Sequence, residues 1–289
     1  MFLEIIKFIF FAFLIVLIAK YLLVTVLRKL SEALDLSPKM VGNIAGCATS
    51  VPELLTVSFS AFAGFIGASS YNILSSNIIN MVQYTISVYS NKNQKTLSNR
   101  AIKIDLFLVV LTIIIPIIMF ITNIEFNITI VPIFFLLAIL FYYINHNSHK
   151  LYLLNQEKKL SIEIDNEKKW IKGKKRVIVK YTIYLIIIAV LLYVVGNNLS
   201  NSLTNLCNIF GISQIILGIL LGFITSIPEL ITFFESQKFY KKDISSDLKT
   251  EHNTSELGII EATNNLLTSN LLNLFIIQSF GIIIFYLHS

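Results

Sequence analysis

Six residues are written twice in this chain, and both times they stand where few chains tolerate them. Thr49-Ser50-Val51-Pro52-Glu53-Leu54 returns as Thr225-Ser226-Ile227-Pro228-Glu229-Leu230, with Val exchanged for Ile at the third place. Each copy lies inside a long apolar run, so each sets a proline and an ionisable carboxylate at membrane depth. A charged side chain is costly in hydrocarbon, and a proline frees a backbone carbonyl that has no water to turn to. Two such interrupted segments in corresponding parts of a chain point to an ion or substrate site near the bilayer midplane.

Composition agrees with a membrane setting. Of 289 residues, 55% are hydrophobic and only 14% are charged, against about 25% charged in a soluble domain. The N-terminal run carries Glu4, Lys7 and Lys20, is long enough to span, and is followed by no small-residue cleavage site. It is therefore expected to be a transmembrane helix rather than a signal peptide. The apolar runs predict eight helices, at about 2–27, 38–65, 68–90, 102–122, 128–146, 177–197, 203–237 and 257–287, the last two broken or re-entrant in part. The expected fold class is an all-α polytopic membrane protein. Cys47 and Cys207 sit among apolar residues and are too few for a disulfide framework, so both are expected as small buried hydrophobes.

Lys and Arg occupy the connections after helices 1, 3, 5 and 7, around 28–39, 91–101, 147–176 and 238–256, and are absent after helices 2, 4 and 6. The positive-inside rule puts those four connections in the cytoplasm and both termini outside. The net charge of +6 thus belongs to topology, and no nucleic-acid partner is expected. The lipid bilayer is the expected surrounding, and the cell membrane the expected location. The first motif lies on helix 2 and the second on helix 7, five helices further on, and that odd step makes them enter the membrane from opposite sides and predicts an inverted repeat.

A second pattern follows each motif. Asn72-Ile73-Leu74-Ser75-Ser76-Asn77-Ile78-Ile79-Asn80 matches Asn265-Leu266-Leu267-Thr268-Ser269-Asn270-Leu271-Leu272-Asn273, both reading N-x-x-[ST]-S-N-x-x-N. Oxygen-bearing side chains gather on a few helical turns: Thr49, Ser50, Glu53, Asn72 and Ser76 in one half, Thr225, Ser226, Glu229, Asn265 and Ser269 in the other. Carboxylate, amide, hydroxyl and freed carbonyl oxygens suit hard cations such as Na⁺ and Ca²⁺. No His or Cys converges to favour a softer metal.

These motifs resemble the sodium/calcium exchanger family of the calcium/cation antiporter superfamily, whose two alpha-repeats carry G-T-S-x-P-E in one helix and G-N/D-x-x-G-S-N in the next. The resemblance covers about 42–80 and 218–273. It implies an inverted-repeat bundle, usually of ten helices, here read as helices 1–5 in a first repeat over 1–146, a cytoplasmic linker over 147–176, and helices 6–8 in a second repeat over 177–289. It implies that Glu53 and Glu229 are the paired central Ca²⁺ ligands. Thr49, Ser50, Thr225 and Ser226 would supply hydroxyl or backbone oxygens to Na⁺ and Ca²⁺. Asn72 and Asn265 fall on the family's third ligand position, with Ser76 and Ser269 in the same set. The implied activity is secondary active antiport of Ca²⁺ against Na⁺ or H⁺ by alternating access, helices 1 and 6 sliding against the rest. The ions are cargo, so no cofactor is implied, and no enzymatic chemistry. A homodimer or a partner subunit is expected to cover the flank that helices 9 and 10 otherwise occupy.

This sequence departs from the family pattern. Ala48 and Ile224 replace the glycine before the threonine, Ser75 and Thr268 replace the glycine of the G-S-N triplet, and both N/D positions are Asn. Glu261 lies four residues before Asn265, on the same helical face one turn away. It reads either as a third acidic ligand or as a hydrated residue near the cytoplasmic end of helix 8; its counterpart is Ala68. The altered glycines favour an alternative, a non-transporting membrane scaffold or regulatory subunit, which the twice-kept glutamates disfavour. An intramembrane enzyme would need groups this chain lacks, since His146, His149, His252 and His288 lie at helix ends or in loops and Asp105 stands alone.

Overall fold

The computed structural model describes residues 2–152, 174–242 and 251–288, apart from 35, 63, 65, 123, 125 and 212. Among the described residues all regular structure is helical. Span 1 joins α1 (Phe2–Leu17) to α2 (Val24–Leu34) through a π-helical turn, Ile18–Leu23. Span 2 is α3 (Pro38–Thr49) and α4 (Val51–Phe62), interrupted at Ser50. Spans 3 to 6 are α5 (Ile66–Ser90), α6 (Arg100–Ile121), α7 (Val131–Tyr152) and α8 (Lys174–Phe210). Span 7 is α9 (Gln214–Thr225) and α10 (Ile227–Lys242), interrupted at Ser226. Span 8 joins α11 (Glu251–Leu271) to α12 (Gln278–His288) through a second π turn, Leu272–Ile277. Among the described residues six segments are long and apolar enough to cross a membrane on length and composition, at 38–62, 100–121, 128–147, 176–210, 215–239 and 256–288. Span 3 is more polar because Asn72, Ser76, Asn77 and Asn80 are turned inward and buried rather than toward lipid.

Several expectations are corrected. Span 1 reaches Leu34 rather than ending near 27, because Val26, Leu27 and Leu30 continue a buried stripe at helical spacing. Arg28 and Lys29 are therefore helical. Span 6 runs through 198–202, which the polarity of those residues assigned to a connection. They stay helical because Leu199 and Ser202 are buried on one side while Asn198 Nδ2 donates to Val194 O on its own helix, 2.7 Å. The turn comes at Gly211, whose φ of +68° glycine takes without strain. That connection also lacks Lys and Arg, so the one-sided charge pattern survives. Span 8 is neither broken nor re-entrant; it is one helix with a π turn. Helices α10 and α11 consume much of the polar 238–256 stretch; 243–250 lie outside the described residues, as do 153–173 of the linker. Cys47 is exposed on α3 rather than buried, and the side chain of Cys207 lies outside those described. Asp105 does not stand alone: it is fully buried and accepts from Asn145 Nδ2 at 2.8 Å.

The spans pack as two apolar bodies. In one, Ile15, Leu23 and Leu27 of span 1 meet Ile188, Leu192 and Leu199 of span 6, with α3 and α9 alongside. In the other, α4, α5, α6, α7, α10 and α11 share a core in which Phe134 and Phe141 set their edges on Phe275 at 5.6 and 5.2 Å. The half-helices of spans 2 and 7 cross between the repeats: α3 lies on α11, and α9 lies on α5. Glycines allow that approach. A Cβ at Gly46 would stand 2.8 Å from Asn265 O, and one at Gly222 2.8 Å from Asn72 O. Gly42/Gly46 and Gly218/Gly222 are matched small-xxx-small seams of the kind that brings membrane helices into backbone contact.

Candidate functional site

The site begins with two prolines. Pro52 and Pro228 have no N–H for the carbonyl one turn earlier, at Ala48 and Ile224, so both helices break at the preceding serine. Ser50 takes φ −80°, ψ 1°, and Ser226 takes φ −81°, ψ 1°, the same local conformation in both halves. The ladder resumes at once, Leu54 N–H donating to Ser50 O at 3.1 Å and Leu230 N–H to Ser226 O at 3.3 Å. Each break therefore starts a new helix with a glutamate in its first turn, Glu53 on α4 and Glu229 on α10. The positive end of the helix dipole favours a carboxylate there.

Both glutamates are fully buried, and they lie close enough for their charges to act on one another. The Thr225 hydroxyl lies beside Glu53 and the Thr49 hydroxyl beside Glu229, so each acid meets the threonine of the other repeat. Ser269 Oγ donates to Glu229 Oε1 at 3.1 Å and is itself 2.9 Å from Ser50 Oγ, which also reaches Gly46 O at 2.8 Å. Thr49 and Thr225 donate back to Ala45 O and Leu221 O, both at 3.0 Å. Asn72 Nδ2 donates to Thr56 Oγ1 at 2.8 Å and Asn265 Nδ2 to Thr232 Oγ1 at 2.6 Å, fixing which way each amide points. Ser76 Oγ donates to Gly222 O at 3.3 Å. Both oxygens of Glu53, Glu229 Oε2, Ser226 Oγ and Asn265 Oδ1 are buried without a hydrogen-bond partner. Unsatisfied acceptors are rare inside proteins, and three carboxylate oxygens on one buried pair demand an explanation.

A second layer binds the halves together. Asn77 Nδ2 donates to Asn270 O at 3.2 Å while Asn270 Nδ2 donates to Asn77 O at 3.1 Å, a reciprocal pair. Asn80 Nδ2 reaches Asn270 Oδ1 at 3.1 Å, and Asn273 Nδ2 reaches Asn77 Oδ1 at 3.2 Å. Glu261 belongs to neither layer. Its oxygens accept from Arg28 Nη1 and Nη2, each at 2.5 Å, and Oε1 also accepts from Ser236 Oγ at 2.7 Å.

The sequence pattern of the sodium/calcium exchanger protein family matches residues 4–147, the first half of the chain. A comparison with curated proteins finds no significant match. Among solved structures, the sodium-calcium exchanger NCX_Mj soaked in 10 mM Na⁺ without Ca²⁺ superposes with a TM-score of 0.57 at 16% identity, over 98% of this chain and 84% of the other. The H⁺/Ca²⁺ exchanger CAX superposes with a TM-score of 0.63 at 11% identity, over 99% of this chain and 68% of the other. This chain belongs to the sodium/calcium exchanger family. It is an integral membrane protein built on the inverted-repeat antiporter fold.

Within this exchanger-family chain, the structure brings together Glu53, Glu229, Thr49, Ser50, Thr225 and Ser269, buries Ser226, and bonds Asn72, Asn265 and Ser76 to Thr56, Thr232 and Gly222 O, while it holds Glu261 with Arg28. Sequence reasoning passed over Thr56 and Thr232, which orient the two amides. The signal was present, since each motif continues to a threonine three residues beyond the glutamate. It likewise quoted Asn77, Asn80, Asn270 and Asn273 without giving them the crosslink they form. The donor set is oxygen throughout; among the described residues no three His, Cys, Asp or Glu side chains cluster as a metal site. Two acids and neutral oxygens of this kind can hold a hard cation.

Proposed function

We propose that this chain exchanges Ca²⁺ for a monovalent cation, Na⁺ or H⁺, across the membrane, with the cations binding in turn between Glu53 and Glu229. The observation that carries the reading is the fully buried acid pair, of whose four carboxylate oxygens three lack any hydrogen-bond donor. Burying carboxylates without positive charge or donors is strongly unfavourable, so such a pair is built for cations that arrive and leave. Thr49, Ser50, Thr225, Ser226, Asn265, Asn72, Ser76 and Ser269 complete the oxygen shell by hydroxyl, amide or backbone groups. Glu261 takes no part in that shell, being committed to Arg28. Alternating access is served by spans 1 and 6 moving together over α3 and α9, and the apolar contact of Ile15, Leu23 and Leu27 with Ile188, Leu192 and Leu199 supports their moving as a pair. In this reading the basic connections face the cytoplasm, the termini face outward, and the location is the cell membrane.

Uptake of labelled Ca²⁺ into liposomes containing the purified protein tests this. An imposed Na⁺ gradient and an imposed pH gradient identify the driving ion, and the double variant Glu53→Gln/Glu229→Gln serves as control. Uptake driven by one gradient and lost in the double variant is the expected result. Gradient-driven uptake that persists without the two carboxylates would sink the site. No uptake from correctly inserted protein under either gradient would favour a scaffold.

A further inference from the structure

Glu261 is 2% exposed, and nothing in the exchange chemistry above employs it. The Arg28 guanidinium grips both its oxygens and also lies over the Phe239 ring, 4.3 Å from its centre. Arg28 belongs to α2 in span 1, Phe239 and Ser236 to α10 in span 7, and Glu261 to α11 in span 8. A single residue of span 1 thus ties that span to the other body by a charge-assisted, two-pronged contact.

The pair also sits at the end of a line of oxygens. A small, mainly apolar cavity beside it has walls of Val24, Leu27, Val41 and Ala45, with Arg28 and Glu261 at its polar side next to Thr232 and Ser236. From there Ser236 Oγ, which donates to Glu261, lies 2.6 Å from the backbone carbonyl of Thr232, and Thr232 Oγ1 accepts from Asn265 Nδ2 at 2.6 Å and donates to the backbone carbonyl of Glu229 at 2.9 Å. The line therefore runs from the Glu229 backbone past Thr232 and Asn265 to Glu261 and Arg28, and Arg28 lies at the edge of the first basic connection. The other half repeats it only in part. Glu53, Thr56, Asn72 and Ser60 occupy the places of Glu229, Thr232, Asn265 and Ser236, but Ala68 occupies that of Glu261. The first repeat thus keeps the acid, threonine, serine and amide of this arrangement but has no acid in the place of Glu261, so the repeat packs there without an ion pair.

We propose that Arg28 is a tethered cation that latches the path between the acid pair and the basic face. With the guanidinium on Glu261 the path is shut and spans 1 and 8 are held together. It opens when a cation takes the Glu261 carboxylate and Arg28 withdraws with span 1. Exchange of one positive charge for another avoids leaving the buried carboxylate alone, which is why a cation opens the latch and a neutral solute does not. The inference rests on the cation-path reading of Glu53 and Glu229.

Thiol labelling tests the latch without requiring transport. Ala45→Cys, in a chain carrying Cys47→Ser and Cys207→Ser, is exposed from the basic face to a membrane-impermeant methanethiosulfonate. Labelling is expected to be slow with Arg28 present and at least about tenfold faster in Arg28→Gln. The pair variant Arg28→Gln/Glu261→Gln, which leaves no orphaned carboxylate to unfold the protein, is expected to label equally fast, and the swap Arg28→Glu/Glu261→Arg to restore slow labelling. Equal rates with and without Arg28 in both backgrounds overturn the latch. Should Ca²⁺ exchange fail altogether, the labelling still reports on Arg28, so the two readings fail separately.

Discussion

The surrounding protein gives the carboxyl groups of Glu53 and Glu229 almost no donors, and the hydrogen-bond pattern shows where the deficit lies: Glu229 has one donor, Ser269, and Glu53 has none at bonding geometry. Replacing either by Gln keeps the shape and removes the charge. Each single variant is expected to weaken apparent Ca²⁺ affinity in the exchange assay by at least about a hundredfold, near 3 kcal/mol. The same variants should melt at a higher temperature in Ca²⁺-free detergent, because a buried carboxylate without a partner is a standing penalty. A lower melting temperature in both would contradict the assignment of these acids as cation ligands. Thr232→Val is a gentler probe, removing the oxygen that orients the Asn265 amide at 2.6 Å. Loss of one such bond, about 1 kcal/mol, is expected to raise the Ca²⁺ concentration for half-maximal exchange about fivefold.

Among the elements, the broken helices decide the site's geometry and the glycine seams decide whether the halves can meet. α3 crosses onto α11 and α9 onto α5, so each motif meets the other repeat as well as the second helix of its own. A methyl group at Gly46 or Gly222 points at a backbone carbonyl 2.8 Å away, and a carbonyl held in a helix has little freedom to retreat. Gly46→Ala and Gly222→Ala are each expected to destabilise by about 1–3 kcal/mol, read as a lower melting temperature with intact membrane insertion. Unchanged melting in both would show that the seams are looser than these distances. Legibility differed from element to element. The twin breaks were plain from Pro52 and Pro228, because proline acts on its own turn. The end of span 6 was missed because polar Asn197, Asn198 and Asn201 imitate a loop, and only the burial of Leu199 and Ser202 shows that the helix continues.

At the scale of the whole molecule, charge balance links structure to transport. Asn72 and Asn265 are neutral where the family pattern admits an acid, and Glu261 is already paired with Arg28. The site then has two negative charges to satisfy, met by one Ca²⁺ or by two monovalent cations in a medium that tolerates no surplus charge. Exchange is therefore expected to be electroneutral: Ca²⁺ uptake should keep its rate when a K⁺ diffusion potential is imposed across the liposome. A rate that changes severalfold with the sign of that potential would require a further charged group in the cycle.

Hydropathy, helix breakers and charged connections act over a few residues, so the amino-acid sequence alone was enough to find eight spans, though not the ends of spans 1 and 6, and to show the repeated motif with its two membrane-depth acids. It could not determine which helices touch. In a membrane protein the faces turned to lipid and to protein are both apolar, and hydrophobic patterning does not choose a partner between them. Only the tertiary structure decided that each acid meets the other repeat's threonine, that the amides are aimed by Thr56 and Thr232, and that Arg28 closes on Glu261, 233 residues away. Those outcomes depend on close contact between segments far apart in the chain, which the assembled bundle alone brings together.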